Sequence, residues 1–183
     1  MAKEYGVDII AIDPGGIHGD IPYGIEPLME HARNFGVDDK VLGIKTVVPE
    51  TLLPNNYFDY AYTTDCLQLI RPKGEDAYIE ALKEIHRILK KGGVLGLGEP
   101  MCTDVPLPDE SSLYDFDKCY TTCEKTKESV ETAGFKVIES GYVEDAEHWW
   151  RDNLHMDSDY GRNVDFLLNS GWLSFGYVVA VKE

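Results

Sequence analysis

Short apolar, β-branched runs alternate with amphipathic segments along nearly the whole of this chain, and that alternation leaves few folds open. The clearest stretch is Asp76–Leu89, followed by KKGG and Val94–Leu97. Tyr78, Ile79, Leu82, Ile85, Ile88 and Leu89 recur at the i, i+3, i+4 spacing of one helical face. The two lysines suit the carbonyl end of a helix, and the two glycines allow the chain to reverse. Upstream, Val7–Ile12 (VDIIAI) is continuously apolar, as strands buried on both faces of a parallel sheet are. It stops at DPGG, a turn signal. Pro27–Phe35 predicts a helix with Leu28, Ala32 and Phe35 on one face, ended by Gly36. Val41–Val48 and Phe58–Thr63 predict strands. Downstream, Met101–Asp117 reads as a loop, Lys118–Ala133 as a helix and Phe135–Ser140 as a strand. Ala146–Leu154 reads as a helix and Phe175–Lys182 as a final strand. This succession implies an α/β fold with a mostly parallel sheet, helices on both faces and right-handed crossovers.

Length and charge narrow the function. A chain of 183 residues has room for one core, so a single domain over 1–183 is expected. Its 33 acidic against 17 basic side chains give a net charge of −16. A body so negative repels nucleic-acid phosphates and anionic membrane surfaces, and its acidity serves solubility. No apolar stretch approaches the roughly 18–20 residues that span a bilayer. The N-terminus MAKEYGVDII lacks a basic region followed by an apolar block. Cys66, Cys102, Cys119 and Cys123 therefore read as reduced thiols of a cytoplasmic protein. Cys119 and Cys123 lie one helical turn apart, but no further Cys or His flanks them in sequence, so no metal site is expected.

Several of these segments, in this order, resemble the class I methyltransferases that use S-adenosylmethionine. VDIIAIDPGG is similar to that family's second strand, which ends in an acidic residue that binds both ribose hydroxyls; here that residue is Asp13, followed by Pro14. VLGIKTVVPETLLPNNYFDYAYTTDCLQLI resembles the loop after the third strand and the Phe–Asp opening of the fourth, here Phe58 and Asp59. YIEALKEIHRILKKGGVLGLGEP resembles the family's helix, Arg–x–Leu–Lys, double-glycine turn and fifth strand. The last strand fits the family's antiparallel closing strand. The resemblance implies a Rossmann-like fold, S-adenosyl-L-methionine as cofactor and a small-molecule acceptor. It also implies that the family's first strand and its glycine-rich turn are missing. GGIHGDIPYG follows the second strand and is not that turn. Strands Val7–Ile12 and Phe58–Thr63 would then each lack a neighbour, so either they pair directly across the gap or, as is favoured here, a second copy or a partner chain completes the sheet.

The same resemblance distributes the candidate site. The adenine position falls on Val47, beside Val48, with Glu50 three residues on as a substitute acid. Thr63, Thr64 and Asp65 close the fourth strand at the edge where open α/β sheets bind ligands. Asp65 is the candidate for holding substrate, and N-capping of the next helix is the alternative role for all three. Glu99 closes the fifth strand at the same edge and is a candidate lining residue. Trp149 and Trp150 either box a flat or cationic substrate or anchor a helix on the sheet. His148 and His155 flank them, His148 being the candidate general base. His86 is expected to be exposed. The rival functions are a non-catalytic scaffold of the same fold, which the missing glycine turn favours, and a dehydrogenase, which it disfavours.

Overall fold

The computed structural model describes residues 1–18, 21–109, 116–153 and 158–183, in two compact units, Met1–Leu53 and Pro54–Glu183. The first unit opens with α1 (Ala2–Tyr5), which ends on left-handed Gly6. Strands β1 (Ile9–Asp13) and β4 (Val41–Lys45) run parallel, from Ile9 opposite Val41 to Asp13 opposite Lys45. Between them lie a short antiparallel ribbon, β2 (Gly16–His18) with β3 (Ile21–Tyr23), and α2 (Ile25–Asn34). The ribbon falls where the sequence suggests only a turn. Helix α2 reaches β4 through Gly43, where an added Cβ would lie 2.3 Å from Ile25 Cγ2. Of its expected apolar face only Ala32 is buried; Phe35 is 62% exposed, with Lys3 over its ring.

The second unit is a four-stranded sheet in the order β5 (Phe58–Thr64), β6 (Leu89–Cys102), β8 (Leu173–Lys182), β7 (Phe135–Tyr142). Strands β5 and β6 are parallel, and β8 is antiparallel to both β6 and β7. A 3-10 helix (Leu67–Lys73) and α3 (Glu75–Ile88) form the crossover from β5 to β6. The periodic face of α3 is buried as Tyr78, Ala81, Leu82, Ile85 and Ile88, with Ile79 half-buried. Glu75 and Asp76 stand at its positive end and Arg87 at its negative end, each favourable to the helix dipole. From β8, Lys182 Nζ donates to the carbonyls of His86 and Leu89 at 2.8 and 2.9 Å and to Asn56 Oδ1 at 2.8 Å, holding the last turn of α3 to the sheet.

Several boundaries differ from the sequence reading. The strand expected at Val94–Leu97 extends over Leu89–Cys102, because β8 pairs with it from Val94 to Cys102. The helix expected over Lys118–Ala133 is two helices, α4 (Phe116–Cys119) and α5 (Cys123–Thr132). Thr122 separates them: its backbone is extended and its hydroxyl caps α5 by accepting from the Lys125 N–H. Helix α6 (Ala146–Asn153) is as expected up to Asn153, and Leu154 lies outside the described residues. Helix α7 (Asp159–Asn169) is additional, capped by Ser158. His86, expected on the surface, is half-buried and edge-on to Phe135, with ring centroids 4.9 Å apart; burial and Lys182 lower its pKa.

Leu82 is fully buried between α3 and the sheet. Leu82→Ala should therefore cost about 2–5 kcal/mol in urea unfolding. A loss below about 0.5 kcal/mol, the range of ordinary surface changes, would show that α3 does not carry this core.

Candidate functional site

In the first unit the C-terminal end of β1 delivers Asp13 into a glycine turn. Its Oδ1 accepts the Gly15 N–H at 2.6 Å. Gly24, at φ +106°, closes over the same carboxylate: an added Cβ would lie 2.6 Å from Gly15 Cα and 2.9 Å from Asp13 Oδ1. Only glycine fits there, by space and by backbone conformation. Among the described residues no hydrogen bond engages Asp13 Oδ2, which leaves one carboxylate oxygen for a ligand hydroxyl. Pro14 beside it is exposed. After β4, Thr46 Oγ1 donates to the Glu50 carbonyl at 2.8 Å and folds Val47, Val48 and Glu50 into a short loop. Val47 and Glu50 are exposed and Val48 is half-buried.

In the second unit the C-terminal end of β5 carries Thr63 and Thr64, with Asp65 directly after it. Asp65 takes a left-handed backbone, φ +46°, and its N–H donates to the Gly98 carbonyl at 2.9 Å. That turn lifts its side chain off the strand. Gln68 Nε2 donates to Asp65 Oδ1 at 2.5 Å. Protein crowding around the carboxyl raises its pKa, and the Gln68 hydrogen bond acts against that rise. Tyr120 and Tyr160 hydrogen-bond to one another, and the Asp65 charge and the Cys119 thiol bear on both; burial raises both phenol pKa values. Tyr120 belongs to a cluster with Trp150, Val164, Leu167, Leu168, Trp172 and Leu173, against which Phe175 and Cys119 pack. Trp150 is the buried anchor of α6, whereas Trp149 is 41% exposed and lies 4.9 Å from the Phe175 ring. Of the two roles weighed for the pair, Trp150 takes the anchor, and Trp149 is left part-exposed beside Phe175.

His148 is placed elsewhere. Its side chain is 79% exposed and Nε2 is 3.2 Å from Asp152 Oδ2, a surface pair on α6. His155 lies outside the described residues. Glu99 does not line the edge of the sheet but turns into the core at 1% exposure. Tyr78 donates to its Oε1 at 2.9 Å, Arg71 Nη2 stands 3.4 Å away, and Thr126 Oγ1 is 3.5 Å away. Arg71 also donates to Glu75 at 2.6 Å and to Thr126 at 3.2 Å, and its guanidinium lies 3.5 Å from the centre of the Tyr78 ring. Burial raises the Glu99 pKa, and Arg71 and Tyr78 oppose the rise. This cluster ties the 3-10 helix, α3, β6 and α5 together directly behind the turn that holds Asp65. Gln68, Tyr120, Tyr160 and Phe175 were not expected in the site. Tyr120 falls inside the helix expected over Lys118–Ala133, which is in fact broken between Cys119 and Cys123, and Gln68 lies in a segment without helical pattern.

Residues 24–97 match the family model of a methyltransferase domain, from α2 through the first half of β6. Solved structures match the whole chain. One is a [4+2]-cyclase, SpnF, at TM-score 0.69 and 20% identity, covering 99% of this chain and 69% of that one. Another is geranyl diphosphate C-methyltransferase from Streptomyces coelicolor, at TM-score 0.77 and 10% identity, covering 100% of this chain and 66% of that one. A third is phosphoethanolamine N-methyltransferase 2 from Haemonchus contortus, at TM-score 0.72 and 18% identity, covering 99% of this chain and 44% of that one. This is the class I methyltransferase fold. No curated protein sequence gives a match. In the methyltransferase fold of this chain, the closing strand β8 is antiparallel to its neighbours, as the sequence resemblance implied, and it stands between β6 and β7.

Arg71→Met should cost about 3–5 kcal/mol in urea unfolding, since it strands a buried carboxylate. With the guanidinium gone, Glu99 takes up a proton more readily, so the loss should be smaller at pH 5 than at pH 8. A pH-independent loss would mean that packing, not charge, accounts for it. Adding Glu99→Gln should recover part of the stability at pH 8.

Proposed function

We propose that this protein is a single methyltransferase domain over 1–183 and transfers a methyl group from S-adenosyl-L-methionine to a small-molecule acceptor. The observation that carries the reading is the Asp13 turn. A carboxylate at the end of an apolar parallel strand has one oxygen tied to Gly15, and the other is left for a sugar hydroxyl. Its donor chemistry fits the ribose of the cofactor. Pro14, Val47, Val48 and Glu50 are proposed to line the nucleoside end, and Thr63 and Thr64 to face the cofactor from β5. When bound, S-adenosylmethionine supplies a methyl already activated on sulfonium, so the chain's task is alignment and exclusion of water. Asp65 is proposed to hold the acceptor and to take its proton where the accepting atom carries one. The exposed part of Trp149, Phe175 and Tyr160 would form the acceptor's wall.

Fold alone does not decide the activity, since a cyclase shares it. A cytoplasmic setting is part of the proposal, and the four cysteines, none of them in a disulfide, suit a reducing compartment. Self-association is part of the proposal. Among the described residues β1 is hydrogen-bonded to β4 alone and β5 to β6 alone. A strand edge with free N–H and C=O groups invites pairing with another chain, and β5 displays Tyr60 and Tyr62 beside its edge.

Calorimetric titration with S-adenosylmethionine should give a Kd in the micromolar range, and Asp13→Ala should weaken it by at least about tenfold. Absence of binding in the unmodified chain would favour a non-catalytic scaffold, and equal binding by the variant would remove Asp13 from the site. Sedimentation at micromolar concentration should show a dimer or larger species; a monomer that unfolds cooperatively would reject self-association.

A further inference from the structure

Gln68 is buried to 2% exposure, an unusual position for an amide. Its Nε2 donates to Asp65 Oδ1, while among the described residues its Oε1 has no partner. A buried acceptor left unmet is costly, and a methionine or leucine of similar volume would avoid it. Rotating the amide would not help, because it would set Oε1 against the carboxylate, acceptor against acceptor. The orientation with the orphaned oxygen is therefore the one the Asp65 contact demands. Local geometry makes the contact direct. Gln68 lies three residues after Asp65, in the first turn of the 3-10 helix. Asp65 is itself pinned by its left-handed backbone and its N–H bond to Gly98.

We propose that Gln68 is the positioning residue of the acceptor site: it occupies one oxygen of Asp65 and turns the other outward to the acceptor's proton. This rests on the role given to Asp65 in the methyl-transfer reading. The other groups that bear on Asp65 are the Tyr120 and Tyr160 phenols and, behind them, the Cys119 thiol. Arg71, on the same 3-10 helix, is committed to Glu75 and Glu99, and Glu99 on β6 faces the core. None of these replaces the amide as a donor to Asp65 among the described residues.

The test follows the Asp65 carboxyl carbon by NMR across pH in the full chain, without cofactor or acceptor. Gln68→Met keeps the volume and removes the donor. Asp65 should then hold its proton about threefold to tenfold more tightly, so its titration midpoint rises. Unfolding in urea should be unchanged or shifted to higher urea, because the orphaned acceptor has gone. Gln68→Glu is isosteric and places a second carboxyl against Asp65; the pair should titrate in two steps, the upper one above the unmodified midpoint. An Asp65 midpoint unmoved in either folded variant overturns the proposal. Calorimetry with S-adenosylmethionine on the same proteins separates the two readings. If cofactor binding is absent throughout while Asp65 shifts, the methyl-transfer reading fails and the Gln68–Asp65 coupling stands.

Discussion

The Arg71–Glu99 contact, deep behind the end of β6, is the constraint on which the second unit depends. Burying a carboxylate and a guanidinium is unfavourable unless each finds close partners. Here the partners come from four elements: Glu75 and Tyr78 from α3, Glu99 from β6, Thr126 from α5, and Arg71 from the 3-10 helix. Because none of these groups can move without stranding another, the elements are locked in register. The turn that displays Asp65 is fastened to that assembly at both ends, by Gly98 on β6 and by Gln68 on the 3-10 helix.

The site chemistry follows from how carboxylates are treated differently in one fold. Asp13 is held by backbone N–H from a glycine turn. Asp65 is reached by one neutral amide and faces two phenols. Glu99 is neutralised in the core. The same side-chain class thus forms a structural tie in Glu99 and, in the proposed reading, a ligand grip in Asp13 and an acceptor-facing group in Asp65; the difference lies in the donors each one meets.

Aromatic residues divide in a similar way. Trp150, Trp172 and Tyr120 are core, and they fix where α6 and α7 lie against β8. Trp149 and Tyr160 stand next to that core with part of their surface exposed to solvent. An aromatic wall supported by buried neighbours loses little side-chain entropy when a ligand stacks on it.

Much of the architecture was legible in the chain. The periodic face of α3, the apolar run of β1 and the double glycine after Leu89 marked the α/β alternation, because each depends on local spacing and on backbone freedom that one residue type supplies. Asp13 and Asp65 were legible as strand-end acids for the same reason. Tertiary structure decided the rest. It turned Glu99 inward, because the Arg71 that neutralises it lies 28 positions away. It left His148 on the surface with Asp152, because helix phase and not composition sets which side of α6 faces the sheet. It split the segment before Gly134 at Thr122, where a capping hydroxyl outcompeted a continuous helix. Gln68 acquired its role only through a side-chain hydrogen bond that hydrophobic spacing does not encode, since periodicity reports which face is buried and not which polar groups meet there.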